Sequence, residues 1–412
     1  MRHPFQVCLL AFGILALVAL SAFAPRAAEA APVDVMWRDG LFFEAPTDHG
    51  DVVIRLGGSV HFDSGWGFSD LDDDASSHAH EPRDEYRIRR ARVDLRGSFF
   101  DSAEFRLQFD FAAGAFADAY VGLHLGPGML TVGQKRAHFS MQNMVGAHDS
   151  PMMEASWVAQ LFALGRLLGL GYEMNLADDM IGLAFGFHRL TTPNAPFTPN
   201  QNIWALGSRF WASLMNDDGD SDLHVGLSFT HRILHEGGLA YNTRGAVRTA
   251  PPAAFVIQRS TAPLDSATLI GVEAAFTTGG LRTMLEFAGD ITNPTADGMD
   301  GDFLFALSAT VGYLLNGDSH NYDAGDGVLR NPNVDEPFGS DSAGLFEVLM
   351  HFDFGDLSDN LDDTPGLSGV QVGLGFNWYL NNNMRAMFNL ALVSVSDDGT
   401  YFLMGTRIQV NF

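Results

Sequence analysis

The sequence predicts an all-β protein, a transmembrane antiparallel β-barrel of the bacterial outer membrane. Residues 103–111 alternate apolar and polar side chains without exception, so a strand there places Glu104, Arg106 and Asp110 on one face. Similar segments recur as far as Phe412. An apolar face toward lipid and a polar face toward a water-filled lumen account for this pattern.

The first residues indicate export. Arg2 and His3 precede an apolar run over residues 5–20, and Ala28–Ala30 form an A-x-A cleavage pattern. This predicts a signal peptide over residues 1–30, because the run is too short for a membrane helix. The single cysteine, Cys8, lies within it. We expect an N-terminal periplasmic segment over residues 31–51 and the barrel over residues 52–412.

Sixteen strands are predicted, an even number as in other single-chain bacterial barrels. A barrel of this size encloses a water-filled channel. The stretch 235–265 is hard to assign. Short and long connections should alternate, with long ones at 64–85 and 317–342. The predicted strands are Val52–Asp63, Tyr86–Gly97, Ala103–Phe111, Asp118–Leu125, Leu130–Lys135, Leu167–Met174, Met180–Arg189, Ile203–Met215, Leu223–Leu234, Thr268–Thr277, Leu281–Phe287, Phe303–Leu315, Leu345–Phe354, Val370–Leu380, Arg385–Val395 and Tyr401–Phe412.

The connection over about 136–165 predicts a loop that constricts the channel. Asp149 or Ser150 can cap a helix that begins at Pro151. Its apolar face is formed at a spacing of four by Met153, Trp157 and Leu161. We expect so apolar a loop to fold inward and narrow the lumen; an exposed, receptor-like loop is the alternative.

The charge balance is strongly acidic, with 50 acidic against 24 basic residues and a formal net charge of −26. Acidic residues concentrate between strands, as in Asp70–Asp74, where they suit turns and solvated loops. Divalent cations at a lipopolysaccharide surface are the alternative explanation. The clusters lack the pattern of a calcium-binding loop, so no metal site and no cofactor is predicted. The acidic, exported chain makes nucleic acid an improbable partner.

The densest basic run in the chain is residues 85–96. From Arg90 onward, Arg90, Arg92 and Arg96 should face the lumen together with Asp94, because charges facing lipid would cost several kcal/mol. Arginine binds the oxygens of phosphate and similar anions bidentately. The run therefore predicts an anion-coordinating channel wall.

The pairing of this strand with the next can be predicted from charge. A hairpin centred on Phe100 would create three complementary pairs: Arg96 with Glu104, Asp94 with Arg106, and Arg90 with Asp110. A shift by one residue places like charges opposite each other, for example Arg96 and Arg106, which is unfavourable. The predicted register leaves Arg92 without an opposite carboxylate, so Arg92 is the arginine expected to contact solute.

Several short motifs, taken in their order along the mature chain, resemble the family of phosphate-selective porins O and P. The resemblance implies a homotrimer of sixteen-stranded barrels that passes phosphate-like anions through arginine-lined constrictions. The motifs are Trp37–Leu41, Leu56–Gly58, Arg89–Arg92, Gln108–Phe111, Asp118–Gly122, Val132–Gln134, Gly165–Arg166, Gly312–Asp318, Phe376–Asn381, Met384–Arg385 and the terminal Phe412.

The chain departs from this family in several basic positions. Ser59 stands where the family usually has Arg, Lys135 and Arg136 replace an aromatic-Lys pair, and His320 follows the late motif. The residues expected to line the pore or bind anions are Arg90, Arg92, Asp94, Arg96, Arg106, Lys135 and Arg136.

Three functions follow from these observations. An outer-membrane porin for small, phosphate-like anions is favoured. A weakly selective or cation-preferring general porin is the alternative, since the surface is acidic. A non-transport barrel, an enzyme or a receptor, is the third; no serine stands in a G-x-S-x-G frame. The expected partners are outer-membrane lipid and lipopolysaccharide, small inorganic anions and two further copies of the chain.

Overall fold

The computed structural model describes residues 33–37, 40–69, 84–190, 203–217, 221–248, 257–296, 298–317, 319–360, 367–397 and 399–412. The predicted signal peptide and the acidic cluster Asp70–Asp74 lie outside the described residues. The strands are β1 (Asp34–Trp37), β2 (Leu41–Thr47), β3 (Gly50–Ser69), β4 (Asp84–Phe99), β5 (Ala103–Asp110), β6 (Ala115–Leu125), β7 (Gly128–Arg136), β8 (Arg166–Leu176), β9 (Ile181–Arg189), β10 (Trp204–Asp217), β11 (Ser221–Gly237), β12 (Ala240–Thr243), β13 (Ile257–Ser260), β14 (Leu264–Thr278), β15 (Leu281–Pro294), β16 (Phe303–Leu314), β17 (Asn321–Asp323), β18 (Val328–Arg330), β19 (Leu345–Asp356), β20 (Ser368–Asn381), β21 (Met384–Val395) and β22 (Gly399–Asn411).

Sixteen of these strands form a closed antiparallel barrel, which confirms the predicted fold class. The barrel begins at β3 and closes where β22 pairs with β3, for example Gln409 with His61. The strands β1, β2, β12, β13, β17 and β18 lie outside this ring. Each of the sixteen predicted strands corresponds to one barrel strand. The structure extends β3 to Ser69, because Trp66 and Phe68 continue the alternation on either side of Gly67.

The outer surface of the barrel is apolar. Leu206 and Met350, for example, are 60% and 61% exposed and point away from the lumen. Aromatic rings cluster at both ends: Phe346 stacks with Trp378 near one end, and Phe303 stacks with Phe305 near the other. An apolar band between two aromatic girdles is the surface that a bilayer requires.

The N-terminal strands extend the sheet beyond the barrel. β2 pairs with β3 over residues 50–56, and β1 pairs with β2. The C-terminal residue lies at the same end, where the amide of Gly58 donates to the carbonyl of Phe412 at 2.6 Å. This end also carries short turns such as 100–102, so it is the periplasmic end of a barrel of this class.

The connection between β7 and β8, here called the inward loop (residues 137–165), packs inside the barrel. It contains two short helices, α1 (Met141–Met144) and α2 (Trp157–Phe162). The prediction of a helix from Pro151 is wrong: α2 begins six residues later, capped by Ser156. The reason is that the wall holds the preceding residues, since the amide of Met153 donates to Asn389 at 2.8 Å. Among the described residues, neither of these helices is long and apolar enough to cross a membrane.

Two further connections also turn into the lumen. The hairpin loop (residues 238–248 and 257–263) carries β12 and β13, and the hydroxyl of its Tyr241 donates to Asp290 at 2.7 Å. The inward turn (residues 315–317 and 319–344) carries β17 and β18, and its carbonyls at Asp326 and Gly327 accept from Arg209 at 2.9 and 2.6 Å. The hairpin loop accounts for most of the stretch that the sequence left unassigned.

The inward turn corrects the prediction that short and long connections alternate. It joins β16 to β19 at the end that holds the short turns and the C-terminus, although it is a long connection. Its length is accommodated because it folds back into the barrel: Val328 and Leu329 are buried against Met141 and Val145 of the inward loop. The lumen is therefore filled from both ends of the barrel.

Candidate functional site: an arginine-lined cavity in the lumen

The three inward segments cover one side of the barrel wall and leave the other side open. The amide of Trp157 donates to Asp353 of β19 at 3.0 Å, and the inward loop also bonds to β15, β21 and β22. The open side, formed by β3 to β8, borders a cavity of about 540 Å³. The inward loop and the inward turn form its opposite side, through Asp149 and Arg330 among others. This cavity is the candidate site for solute.

The lining of the cavity carries an excess of positive charge. Eight lysine and arginine side chains line it against five carboxylates, a net charge of +3 in a chain whose formal charge is −26. The cations are Arg55, Arg92, Arg96, Arg106, Lys135, Arg136, Arg166 and Arg330; the carboxylates are Asp94, Asp118, Asp149, Glu173 and Asp326. Of the seven residues predicted to line the pore or bind anions, Arg90 is the one that is not part of this lining.

The predicted centre of the hairpin between β4 and β5 is wrong by one residue, so the partner of each β4 residue differs from the prediction by two positions. Arg96 lies opposite Arg106, and Asp94 lies opposite Gln108. The two arginines tolerate this arrangement because Asp94 lies between them. Its carboxylate accepts from Arg96 at 2.7 Å and from Arg106 at 2.8 and 2.9 Å. The prediction considered only directly opposite residues, whereas long arginine side chains reach a carboxylate diagonally across the strand pair.

The same shift changes the expected role of Arg92. Its Nε donates to Asp110 at 2.8 Å, so Arg92 has the carboxylate partner that the prediction denied it. Arg90 loses that partner. Among the described residues no carboxylate lies within salt-bridge distance of Arg90, and its Nε is buried without a hydrogen bond. Arg90, not Arg92, is therefore the unpaired arginine of β4.

A β-bulge explains why two consecutive arginines face inward. Phe62 of β3 pairs with Ile88 while His61 pairs with Arg90, so Arg89 is the additional residue. Ile88 is 57% exposed on the lipid side, whereas Arg89 binds Glu154 of the inward loop. The bulge thus shifts the inward alternation from odd to even residues. The motif Arg89–Arg92 contained Arg89, but the sequence argument assigned side chains to a face only from Arg90 onward.

Lys135 and Arg136 differ in their partners. Lys135 contacts Glu173, which also accepts from His138 at 3.1 Å. Arg136 has no carboxylate partner among the described residues. One of its terminal nitrogens donates to the carbonyls of Asn143 and Val145, both at 2.6 Å, at the C-terminal end of α1. A cation at a helix C-terminus is favourable, and Arg136 is part of the cavity lining.

Asp118 and Arg166 belong to this site, although the sequence argument did not select them. Asp118 accepts from Arg166 at 2.7 Å and contacts Arg106 at 3.3 Å. A bulge in β6 turns the side chain of Asp118 toward the lumen. Gln134 donates to two carbonyls at this bulge, those of Phe116 and Ala117, both at 2.8 Å. Both residues occur in the motifs that resemble the porin family, which was the available signal.

The predicted apolar residues of the inward loop lie together and away from solvent. Met153, Trp157 and Leu161 are 2%, 0% and 6% exposed and belong to one cluster with residues of the hairpin loop. The indole of Trp157 donates to the carbonyl of Arg244 at 3.1 Å. These residues fix the inward loop on the wall and do not contact the cavity.

Comparison with known proteins agrees with this architecture. An uncharacterized protein of Caulobacter vibrioides is 24% identical over 356 residues, which cover 81% of this chain and 67% of the relative. Among solved structures, an anion-selective porin from Comamonas acidovorans has a TM-score of 0.53 at 13% identity and covers 88% of this chain and 100% of its own. OmpT of Vibrio cholerae, folded in vitro, has a TM-score of 0.55 at 9% identity and covers 89% of this chain and 98% of its own. These structures establish the porin fold.

The family model for phosphate-selective porins O and P matches residues 57–412, nearly the whole barrel. The fold, its apolar outer band and this match place the protein in the bacterial outer membrane as a channel-forming barrel. The chain belongs to the family of phosphate-selective porins O and P.

Proposed function

We propose that this porin conducts small anions of the phosphate type by passive diffusion. The observation that carries the proposal is the net charge of +3 around the cavity of an otherwise acidic protein. Fixed charge inside low-dielectric walls acts on an ion far more strongly than the same charge in bulk water. The lumen should therefore concentrate anions despite the acidic loops.

Unpaired arginine groups support oxyanions in particular. Arg136 lines the cavity and has no carboxylate partner among the described residues, and Arg90, which is not part of the lining, adds a further positive charge of β4 that no salt bridge cancels there. A guanidinium presents paired N–H groups that match two oxygens of phosphate. Phosphate selectivity is also what the family name suggests for this chain.

A general porin with weak or cationic preference is the second candidate. Five carboxylates line the same cavity, and Asp326 is 56% exposed there. We favour the anion porin because four of these carboxylates, Asp94, Asp118, Asp149 and Glu173, are buried or nearly so and already bound to cations. We further infer that the protein acts as a channel and not as an enzyme, and that it assembles as a homotrimer.

Reversal potentials in planar bilayers test this function directly. The purified, unboiled protein is reconstituted under a potassium chloride gradient, and the sign of the zero-current potential gives the preferred ion. We expect anion preference, and block of the chloride current by added inorganic phosphate. A cation-preferring channel would overturn the proposal in favour of the general porin.

A further inference from the structure

One carboxylate of the inward loop lies among arginines from separate parts of the chain. Glu154 accepts from Nε and a terminal nitrogen of Arg89 at 3.1 and 3.2 Å, and from Arg407 at 3.4 Å. Arg89 belongs to β4 and Arg407 to β22. The bidentate geometry at Arg89 is the one that guanidinium adopts with phosphate oxygens.

Three more arginines act electrostatically on the same carboxylate. Arg90 follows Arg89 in β4, and Arg244 and Arg248 come from the hairpin loop. Nε of Arg90 and Nε of Arg248 are buried without a hydrogen-bond partner in the described part of the chain. Two arginines thus contact the oxygens of Glu154, and three more contribute to the positive field around it.

Contacts other than those of Glu154 also hold the inward loop in place and neutralise Arg407. Arg407 already forms a bidentate pair with Asp63, with both distances 2.7 Å. The loop is fixed by other contacts, among them Trp157 with Asp353 at 3.0 Å. Burial alone would raise the pKa of Glu154, but the charges of Arg89 and Arg407 lower it to about 2, so the group is ionised at neutral pH.

We propose that Glu154 is a tethered counterion, which a passing anion must displace from the arginine cluster, and that it determines how tightly the anion is held. This inference rests on the proposed anion-porin function. Without Glu154, Arg89 would have no salt-bridge partner in the described part of the chain, and the arginine cluster would hold a multivalent anion strongly. Conduction requires a site that binds an ion and also releases it. A carboxylate on the same chain returns to Arg89 when the solute leaves, and it thereby weakens net binding and speeds release.

The test compares Glu154→Gln with wild type in planar bilayers, with inorganic phosphate added to a chloride current. Loss of one charge-assisted contact corresponds to roughly tenfold in affinity. We therefore expect the half-blocking phosphate concentration to fall by about tenfold, with longer block events and a reversal potential shifted toward anions. Glu154→Asp, which keeps the charge, should remain near wild type.

Glu104→Gln is the matched control, because Glu104 faces the lumen but contacts Tyr120 and no arginine within salt-bridge distance among the described residues. It should leave the half-blocking concentration unchanged. The inference is overturned if Glu154→Gln, shown to be folded by its heat-modifiable band, is half-blocked by phosphate at the wild-type concentration. It is also overturned if Glu104→Gln lowers the half-blocking concentration as much as Glu154→Gln does. A cation-preferring wild type would instead refute the proposed function, while the comparison of Glu154→Gln with wild type would still decide the role of Glu154.

Discussion

Ser156 of the inward loop donates its hydroxyl hydrogen to Glu286 of β15 at 3.1 Å, and it is also the residue that caps α2. The other oxygen of Glu286 accepts from Ser140, the cap of α1, at 2.6 Å. It also accepts from the amide of Gln142 at 2.9 Å. A single buried carboxylate on the barrel wall therefore fixes the start of both helices of the inward loop.

Replacing Glu286 by alanine should loosen the inward loop. The change leaves two hydroxyls and one amide without their acceptor, so the free energy of unfolding should fall by roughly 3 kcal/mol. Urea unfolding followed by tryptophan fluorescence measures this loss, and single-channel recordings should show noisier open currents. Glu104→Ala provides the control, since its contact with Tyr120 is long at 3.4 Å. Equal stability of the two variants would contradict this anchoring role.

Removing residues 143–160 should widen the channel. The segment fills the lumen with buried side chains such as Trp157, and its loss would join the cavity to the space beside β15, β16 and β19. We expect a higher single-channel conductance in a deletion variant that still shows the heat-modifiable band. An unchanged conductance in that folded variant would mean that the ion path avoids the inward loop.

The strands were predictable because a barrel wall imposes a strict period of two on the sequence. Residues 103–111 show this period, and the structure contains β5 there. The bulge at Arg89 was not predictable, because it depends on how β3 pairs with β4 and not on either strand alone. A single additional residue reverses which side chains face the lumen.

The inward turn shows a different limit of sequence analysis. Its strands β17 and β18 have three residues each, too few to display a period. Its position is fixed by distant partners, such as the guanidinium of Arg209, which donates to the carbonyl of Gly327 at 2.6 Å. Contacts between residues more than a hundred positions apart leave no local pattern. For the same reason, the sequence predicted that arginines and carboxylates pair in the lumen but not which residues pair with each other.

Neutralising Arg90 and Arg136 together should reduce anion preference and phosphate block. These two arginines have no carboxylate partner among the described residues, so no salt bridge cancels the field of their charges in the lumen. We expect Arg90→Gln with Arg136→Gln to shift the reversal potential toward cations and to raise the half-blocking phosphate concentration by about tenfold or more.

The control for this prediction removes a complete ion pair. Arg92→Gln with Asp110→Asn deletes one cation and its 2.8 Å partner, so the net charge of the lumen stays constant. Its selectivity should stay near wild type. If the pair deletion reduces anion preference as much as the loss of Arg90 and Arg136, paired arginines contribute to the ion path and the distinction drawn from the geometry fails.

Acid should weaken the contact between the inward loop and the inward turn through Asp149. Its carboxylate contacts His148 at 3.0 Å and Arg330 at 3.4 Å, and it accepts from the amide of Asn331 at 3.2 Å. Burial alone would raise the pKa of Asp149, but His148 and Arg330 lower it to about 2. An aspartate in an unfolded chain has a pKa of about 4.

Because the folded-state pKa is the lower one, ionised Asp149 stabilises the barrel at pH values above about 4, and this contribution disappears as the pH falls from about 4 to about 2. The two-unit difference corresponds to about 3 kcal/mol at neutral pH. Asp149→Asn should therefore have a lower melting temperature than wild type at pH 7, and the two melting temperatures should converge near pH 2. Thermal unfolding at half-unit pH steps measures this convergence. A gap between the two proteins that stays constant from pH 7 to pH 2 would show that Asp149 does not act through its charge.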